Sequence, residues 1–312
     1  MKMNNNTTLD KSKGCLIGLA CGDYLGMPYE FAMPGKVKKH FSINKLKPIT
    51  IQFIDKQVTG FYTDDTSMAI CLAESLLEKG FDQKDQYQKY KKWFYEGYST
   101  PFGDKSYGVG QHTLRVFIEQ TEDNIPTTIT HNHKAGGNGA LMRCAPIGIR
   151  YNKDINQLVQ NSIKSALVTH NNHISAWSCV ILNLCISYAL QEIDKTDYCN
   201  LILDSKLDIP QDIKELLQTD FNKLDQNLLH TTGYSLYTLA IALHSFFTTD
   251  TLEDCITQAI ALGGDTDTQG AVVGALAGAY YGYTNIPDDW VNSLINNKYI
   301  EELAVRLHET TL

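Results

Sequence analysis

None of the eight cysteines stands in a CxxC pair, so the usual cysteine ligand pair of a structural zinc site is missing. Cys15, Cys21, Cys71, Cys179 and Cys185 fall in apolar helical stretches, where cysteine acts as a small hydrophobe. All eight are read as reduced thiols of a cytoplasmic protein. Basic charge is also short: 27 Lys and Arg face 35 Asp and Glu, a formal net charge of −8, which argues against a nonspecific nucleic-acid binder. An anionic small ligand stays compatible, because local amides and a metal hold phosphates whatever the global charge. No uninterrupted apolar run approaches the ~20 residues of a membrane span, so no membrane partner is expected. The first eight residues are polar and Asn-rich, without the apolar core of a signal peptide, and residues 1–10 are expected to be disordered.

No repeat, low-complexity linker or charge run marks a boundary within the 312 residues, so residues 11–312 are read as one domain. The chain is 43% hydrophobic and 20% charged, ordinary values for a globular protein with a substantial core. Strand signals are sparse and do not alternate with helices; residues 41–62 suit an irregular excursion with at most short strands. Apolar periodicity predicts helices over 15–25, 67–79, 86–98, 111–120, 155–169, 175–192, 209–219, 234–247, 251–262, 269–281 and 288–307. The expected fold is all-α, a compact single-domain orthogonal helical bundle with a binuclear metal site on interhelical loops.

Against that background stand two acidic clusters far apart in sequence, Thr63-Asp64-Asp65 and Asp265-Thr266-Asp267-Thr268, the second preceded by Gly263-Gly264. Asp and Thr both cap helices well, and each cluster precedes an apolar helical run, so capping accounts for either one alone. Together they offer more hard oxygen donors than one short loop supplies, and Mg²⁺ and Mn²⁺ prefer such ligands. Gly136 to Gly139 form a second notable stretch, whose amides can approach an anion closely; an ordinary Gly-rich turn reads the same way. Arg143 suits a phosphate or a structural ion pair. His131, His133, His170 and His173 raise zinc, but without a cysteine pair beside them.

Five segments in order closely resemble the ADP-ribosylglycohydrolase family. They are Gly22-Asp23-Tyr24-Leu25-Gly26 through Glu30, Tyr62 to Thr66, Gly137-Asn138-Gly139-Ala140-Leu141-Met142-Arg143, Thr169-His170-Asn171-Asn172 and Gly263 to Thr268. The resemblance runs from about Cys15 to Leu307. It implies an all-α fold and two divalent cations, Mg²⁺ or Mn²⁺, held by Thr63, Asp64, Asp65, Asp265, Asp267 and Thr268. Catalysis would fall to Glu30, Asp64, Asp65 and Asp267, with Glu30 as general base or water-positioning group and Asp23 in supporting structure. Gly137, Asn138, Gly139, Met142, His170 and Tyr234 match the substrate-binding positions. The Gly loop would lie on diphosphate and distal ribose, His170 on phosphate or ribose, and Tyr234 at the adenine. The implied reaction removes ADP-ribose from a modified protein side chain, arginine by preference, opposing an ADP-ribosyltransferase or toxin. Serine-linked or other conjugates are the alternative, as is a noncatalytic ADP-ribose-binding or immunity protein. One departure stands out: Gly108 falls where related enzymes carry an Asp, and Asp104 would substitute only through a rearranged loop.

Overall fold

The computed structural model describes residues 5–33, 37, 46–53, 55–226 and 229–311. Fourteen α-helices lie among them, in the order α1 (Asn5–Gly26), α2 (Asp64–Lys79), α3 (Gln83–Glu96), α4 (Gln111–Glu119), α5 (Ala145–Arg150), α6 (Ile155–Leu167) and α7 (His173–Leu190). They continue as α8 (Tyr198–Leu203), α9 (Gln211–Leu217), α10 (Ser235–Phe247), α11 (Leu252–Ala261), α12 (Thr266–Tyr281), α13 (Asp288–Ser293) and α14 (Asn297–Glu309). The sheet content of the described residues is one antiparallel pair, β1 (Ile51–Phe53) and β2 (Lys56–Val58), with Ile51 opposite Val58 and Phe53 opposite Lys56. The expected all-α class is what the chain adopts, and among the described residues of the excursion before α2 these short strands are the regular structure.

Two helices with opposite chain direction form the axis of the molecule. Gly14, Gly18, Gly22 and Gly26 recur every fourth residue along α1, and Gly270, Gly274 and Gly278 do the same along α12. Residues four apart share one helix face, so each helix shows a stripe without side chains. A methyl group on Gly22 would overlap the Gly270 carbonyl, one on Gly18 that of Gly274, and one on Gly14 that of Gly278. The backbones therefore touch directly, and the C-terminal end of α1 is locked beside the N-terminal end of α12. Gly26 lies against Thr266, whose hydroxyl donates to the Gly26 carbonyl at 2.8 Å. The remaining faces of α12 meet α2, α7, α10 and α11, so the helix is apolar all round and buried nearly throughout.

α7 is the second such helix. Its 18 residues are long and apolar enough to cross a membrane by composition (mean hydropathy 1.5), yet 83% of that stretch is buried inside the protein against α5, α6, α10 and α12. All of the free cysteines are buried except Cys199, which is partly so.

Three expectations need correction. Residues 5–10 are the first turns of α1 rather than disordered: Thr8 is buried, and Asp10 accepts from the Thr284 amide and hydroxyl at 3.3 and 3.2 Å; residues 1–4 lie outside the described residues. The stretch 288–307 is two helices, because Leu294 is extended and Asn296 takes a left-handed φ of 59° that ends one helix and starts the next. Both acidic clusters sit inside helix first turns, α2 starting at Asp64 and α12 at Thr266, a few residues before the apolar periodicity begins. Two short helices, α5 and α8, had no sequence signal of their own.

Candidate functional site

The site gathers where three chain ends meet: the end of α1, the start of α2 and the start of α12. Asp23, fully buried near the end of α1, does what Thr63 would do for α2. Its carboxylate accepts from the Thr63 and Thr66 amides at 3.0–3.1 Å and from the Thr63 and Thr66 hydroxyls at 2.9 and 2.6 Å. The Thr63 side chain makes no cap of its own. Asp23 thus satisfies orphan amides of a helix 40 residues away and ties α1 to α2, the supporting role expected of it. Burial pushes its carboxyl up to about 6 despite those four donors.

With α2 held there, Asp64 faces a pocket of about 540 Å³ whose lining also includes Glu30, Asp265, Asp267 and Thr268. Glu30 follows a 3-10 turn (Met27–Tyr29) after α1. Its loop is pinned to the start of α12: the Phe31 amide donates to the Gly264 carbonyl at 2.7 Å, and the Gly264 amide donates to the Ala32 carbonyl at 2.9 Å. Gly264 has φ 81°, and any side chain there would strike Thr231, so glycine is required for the turn that brings Asp265 round to Glu30. As a result Glu30, Asp265 and Asp267 each offer a carboxylate oxygen within 4.8 Å of the others. Asp265 is held from behind by the Asn138 amide, which donates to its Oδ2 at 2.7 Å and to the Thr238 hydroxyl at 3.0 Å.

The electrostatics follow from crowding. Burial and then Asp23 hold the Asp64 carboxyl well above the ordinary carboxylate range, and burial and then Asp23 and Asp267 do the same for Asp65. Asp267 is raised by burial and then by Asp265 and Glu30. Glu30 is raised to about 7, by burial first and then by Asp265 and Asp23. Carboxylates are buried together this way only where something compensates them. Asp65 Oδ1 is buried without a hydrogen-bond partner, while its Oδ2 accepts from the Thr63 hydroxyl at 3.2 Å. This donor set, all hard oxygen with one acceptor left orphaned, fits divalent cations such as Mg²⁺ or Mn²⁺. Glu30, Asp64, Asp265 and Asp267 would hold them from the pocket side, with Asp65 and Thr63 behind. Among the described residues no histidine or cysteine joins such a group. His131 and His173 only pack ring to ring at 4.1 Å, with His131 exposed.

The opposite wall is neutral. Gly137, Asn138, Gly139, Met142 and His170 all line the pocket. An isolated antiparallel bridge between Gly137 and Tyr234 shapes the loop, with the Asn138 amide on the Gly233 carbonyl at 2.9 Å and the Ser235 amide on the Gly136 carbonyl at 3.0 Å. Tyr234 itself packs on Gly136 and, edge to face at 5.1 Å, on Tyr237, and does not line the pocket. Arg143 neither lines the pocket nor has a carboxylate partner among the described residues; it is buried behind the loop, with its guanidinium 4.4 Å over the Tyr90 ring. The sequence reading missed His112, Thr231, Thr232 and Phe31 at the pocket surface. His112 had a signal, standing directly after a Gly-rich loop, whereas Phe31 is betrayed only by its φ of 62° and 82% exposure.

Gly108, where the resemblance led to the expectation of an Asp, has a φ of 81° and packs against Asp64. Its α-carbon abuts Asp64 so closely that a methyl group would overlap Asp64 Oδ1. Asp104 does not take its place: it is exposed, accepts from the Tyr107 hydroxyl and the Lys105 amide, and does not line the pocket.

A family model described as ADP-ribosylglycohydrolase matches residues 4–312. ADP-ribosylarginine hydrolase Tri1 of Serratia proteamaculans is 29% identical over 96% of this chain and 79% of its own length. ADP-ribosyl-[dinitrogen reductase] glycohydrolase of Rhodospirillum rubrum is 28% identical over 94% of this chain and 92% of its own. Among solved structures, an ADP-ribosylglycohydrolase-related protein complex superposes with a TM-score of 0.80 at 31% identity, covering 98% of this chain and all of that one. From the matched length and the shared architecture, the chain belongs to the ADP-ribosylglycohydrolase family, and it is a glycohydrolase enzyme.

Proposed function

We propose that this glycohydrolase removes ADP-ribose from modified arginine side chains in a divalent-cation-dependent reaction, working in the cytoplasm against an ADP-ribosyltransferase or toxin. The observation that carries the reading is the convergence of Glu30, Asp265 and Asp267 within 4.8 Å in a pocket whose other wall is glycine amides and histidine. A sugar carried on a diphosphate suits both walls: neutral donors meet its phosphates, and the acidic wall, once compensated, meets its ribose hydroxyls. Two bound divalent cations would supply ribose alignment and an acidified water.

Cleavage breaks the bond from the anomeric carbon to the guanidine nitrogen and joins a water oxygen to that carbon. Positive charge builds on the ribose, and the surrounding carboxylates stabilise it. Arginine's guanidine is a poor leaving group unless it departs protonated. Glu30, on a loop at the pocket surface, is suited by position to take a proton from the water and hand it to the leaving nitrogen. Asn138 keeps Asp265 facing the pocket, and Asp23 keeps the start of α2 in place.

The test is release of free ADP-ribose, followed by mass spectrometry, from an arginine-ADP-ribosylated protein with Mg²⁺ or Mn²⁺ and with matched EDTA. Cation-dependent release is expected. Undiminished release in EDTA would remove the cations from the proposal, and release only from a serine-linked substrate would reassign the acceptor.

A further inference from the structure

Behind the neutral wall, a chain of buried polar groups ends at the pocket. Arg143 donates from Nη1 to the Gly139 carbonyl at 2.7 Å and from Nη2 to the Thr169 hydroxyl at 2.6 Å. The same hydroxyl lies 2.8 Å from His170 Nδ1. Thr169 is 3% exposed, and Arg143 and His170 are 1% and 2% exposed, so no member can turn to bulk water.

Donor accounting decides the direction of each bond. A guanidinium only donates, so the Thr169 oxygen accepts from Arg143. The hydroxyl has one proton, and its remaining neighbour is His170 Nδ1. Were Nδ1 protonated, it would donate to that oxygen and leave the buried threonine proton without an acceptor, at a cost of about 1–3 kcal/mol. The hydroxyl therefore donates to Nδ1. The imidazole proton then sits on Nε2, which faces the pocket beside Gly137 and Gly139. The Thr169 carbonyl fixes a second ring in the same tautomer: it accepts from His112 Nε2 at 2.9 Å and leaves His112 Nδ1 as a buried lone pair without a partner.

We propose that Thr169, oriented by Arg143, is a positioning residue that holds His170 as the neutral Nε2–H tautomer, giving the pocket an uncharged donor for a phosphate oxygen of the ligand. The identity of that ligand rests on the ADP-ribose reading above; the tautomer does not. Burial, with His112 and Arg143 close by, keeps His170 from ionising, in accord with this arrangement. A neutral donor here binds a phosphate without adding a charge that the buried Arg143 would repel. It also gives a role to a buried guanidinium that has no carboxylate partner among the described residues: Arg143 polarises the Thr169 hydroxyl and fixes its rotor.

The experiment is long-range ¹H–¹⁵N correlation NMR of the ligand-free protein, combined with ADP-ribose titration by calorimetry. In the unmodified protein His170 should show a pyrrole-type Nε2 and a pyridine-type Nδ1 regardless of any substrate. Thr169→Val, nearly isosteric, should let the tautomers mix and weaken ADP-ribose binding about tenfold, roughly the loss of one oriented hydrogen bond. KM should rise with kcat little changed, and Thr169→Ser should restore both tautomer and affinity. His170→Gln, which keeps an amide donor near the Nε2 position, should bind better than His170→Phe. An Nδ1–H tautomer in the unmodified protein overturns the proposal even if Thr169→Val fails to fold. So does a tautomer shift in Thr169→Val that leaves ADP-ribose affinity unchanged. Absence of ADP-ribose binding with the Nε2–H tautomer present would instead strike the substrate reading and leave the positioning role of Thr169 intact.

Discussion

On one wall of the pocket Glu30, Asp64, Asp265 and Asp267 crowd carboxylates together, whereas on the other His112, His170 and a glycine loop present only neutral groups. Burial acts on both walls but in opposite directions: it raises the carboxyl groups and lowers the imidazoles, favouring the neutral form of each. On the histidine wall Thr169 partners one nitrogen of each ring and His112 Nδ1 stays buried without a partner; on the acidic wall Asp65 Oδ1 is orphaned in the same way. The difference teaches that burial holds the two walls neutral by opposite proton moves, the imidazoles by giving one up and the carboxyls by taking one.

The sharpest way to break this contrast is to remove a charge from the acidic wall. Asp267→Asn should lower kcat/KM by at least about a hundredfold, beyond what displaced metal-supporting groups cost. Its melting temperature in EDTA should nonetheless hold or rise, because one repelling carboxylate is gone. A melting temperature that falls in step with activity would show that Asp267 is mainly structural.

Next in size is the packing that brings the acidic wall together. Gly22→Ala forces α1 from α12 and should cost about 2 kcal/mol or more in unfolding free energy, read by denaturant titration. Gly110→Ala, whose side chain would meet open space, is the control and should change stability little.

On the neutral wall, a methyl group at Gly139 would lie 2.7 Å from His170 Cε1. Gly139→Ala should raise KM about tenfold with kcat nearly intact, the cost of one displaced hydrogen-bonding group. An equal fall in kcat would mean that this wall acts in the transition state as well as in binding.

The smallest effect is on pH. Folded-state carboxyl values raised above the unfolded ones give stability that is present in acid and lost as pH climbs, through about 6 for Asp23 and about 7 for Glu30. Divalent cations compete with those protons. The rise in melting temperature on adding Mg²⁺ or Mn²⁺, a few degrees, should therefore be larger at about pH 8 than at about pH 5.5. A pH-independent increment would place the cation away from these carboxylates.

Much of this was legible before folding. The acidic clusters and the glycine loop announced themselves because their residue types are rare neighbours with a shared chemical preference, and Asp64, Asp265, Asp267, Thr268 and Gly137 to Gly139 from them line one pocket. Helix periodicity located most helices, though it began α2 and α12 too late, since polar first turns carry no apolar signal. Asp23 could not be read as the cap of α2, nor Asn138 as the support of Asp265, because the partners are 40 and 127 residues away. Tyr234 was expected at the adenine from the resemblance, whereas packing sets its ring against Gly136 and outside the pocket lining.

By itself, then, the sequence determined an all-α family member with an oxygen-rich site, because periodicity and residue chemistry are local properties. The tertiary structure decided which carboxylates meet, which amides are spent on holding them, and which nitrogen of His170 bears the proton. Those depend on how closely two helix backbones approach, and the fourfold glycine stripes specify that approach only once α1 and α12 lie against each other.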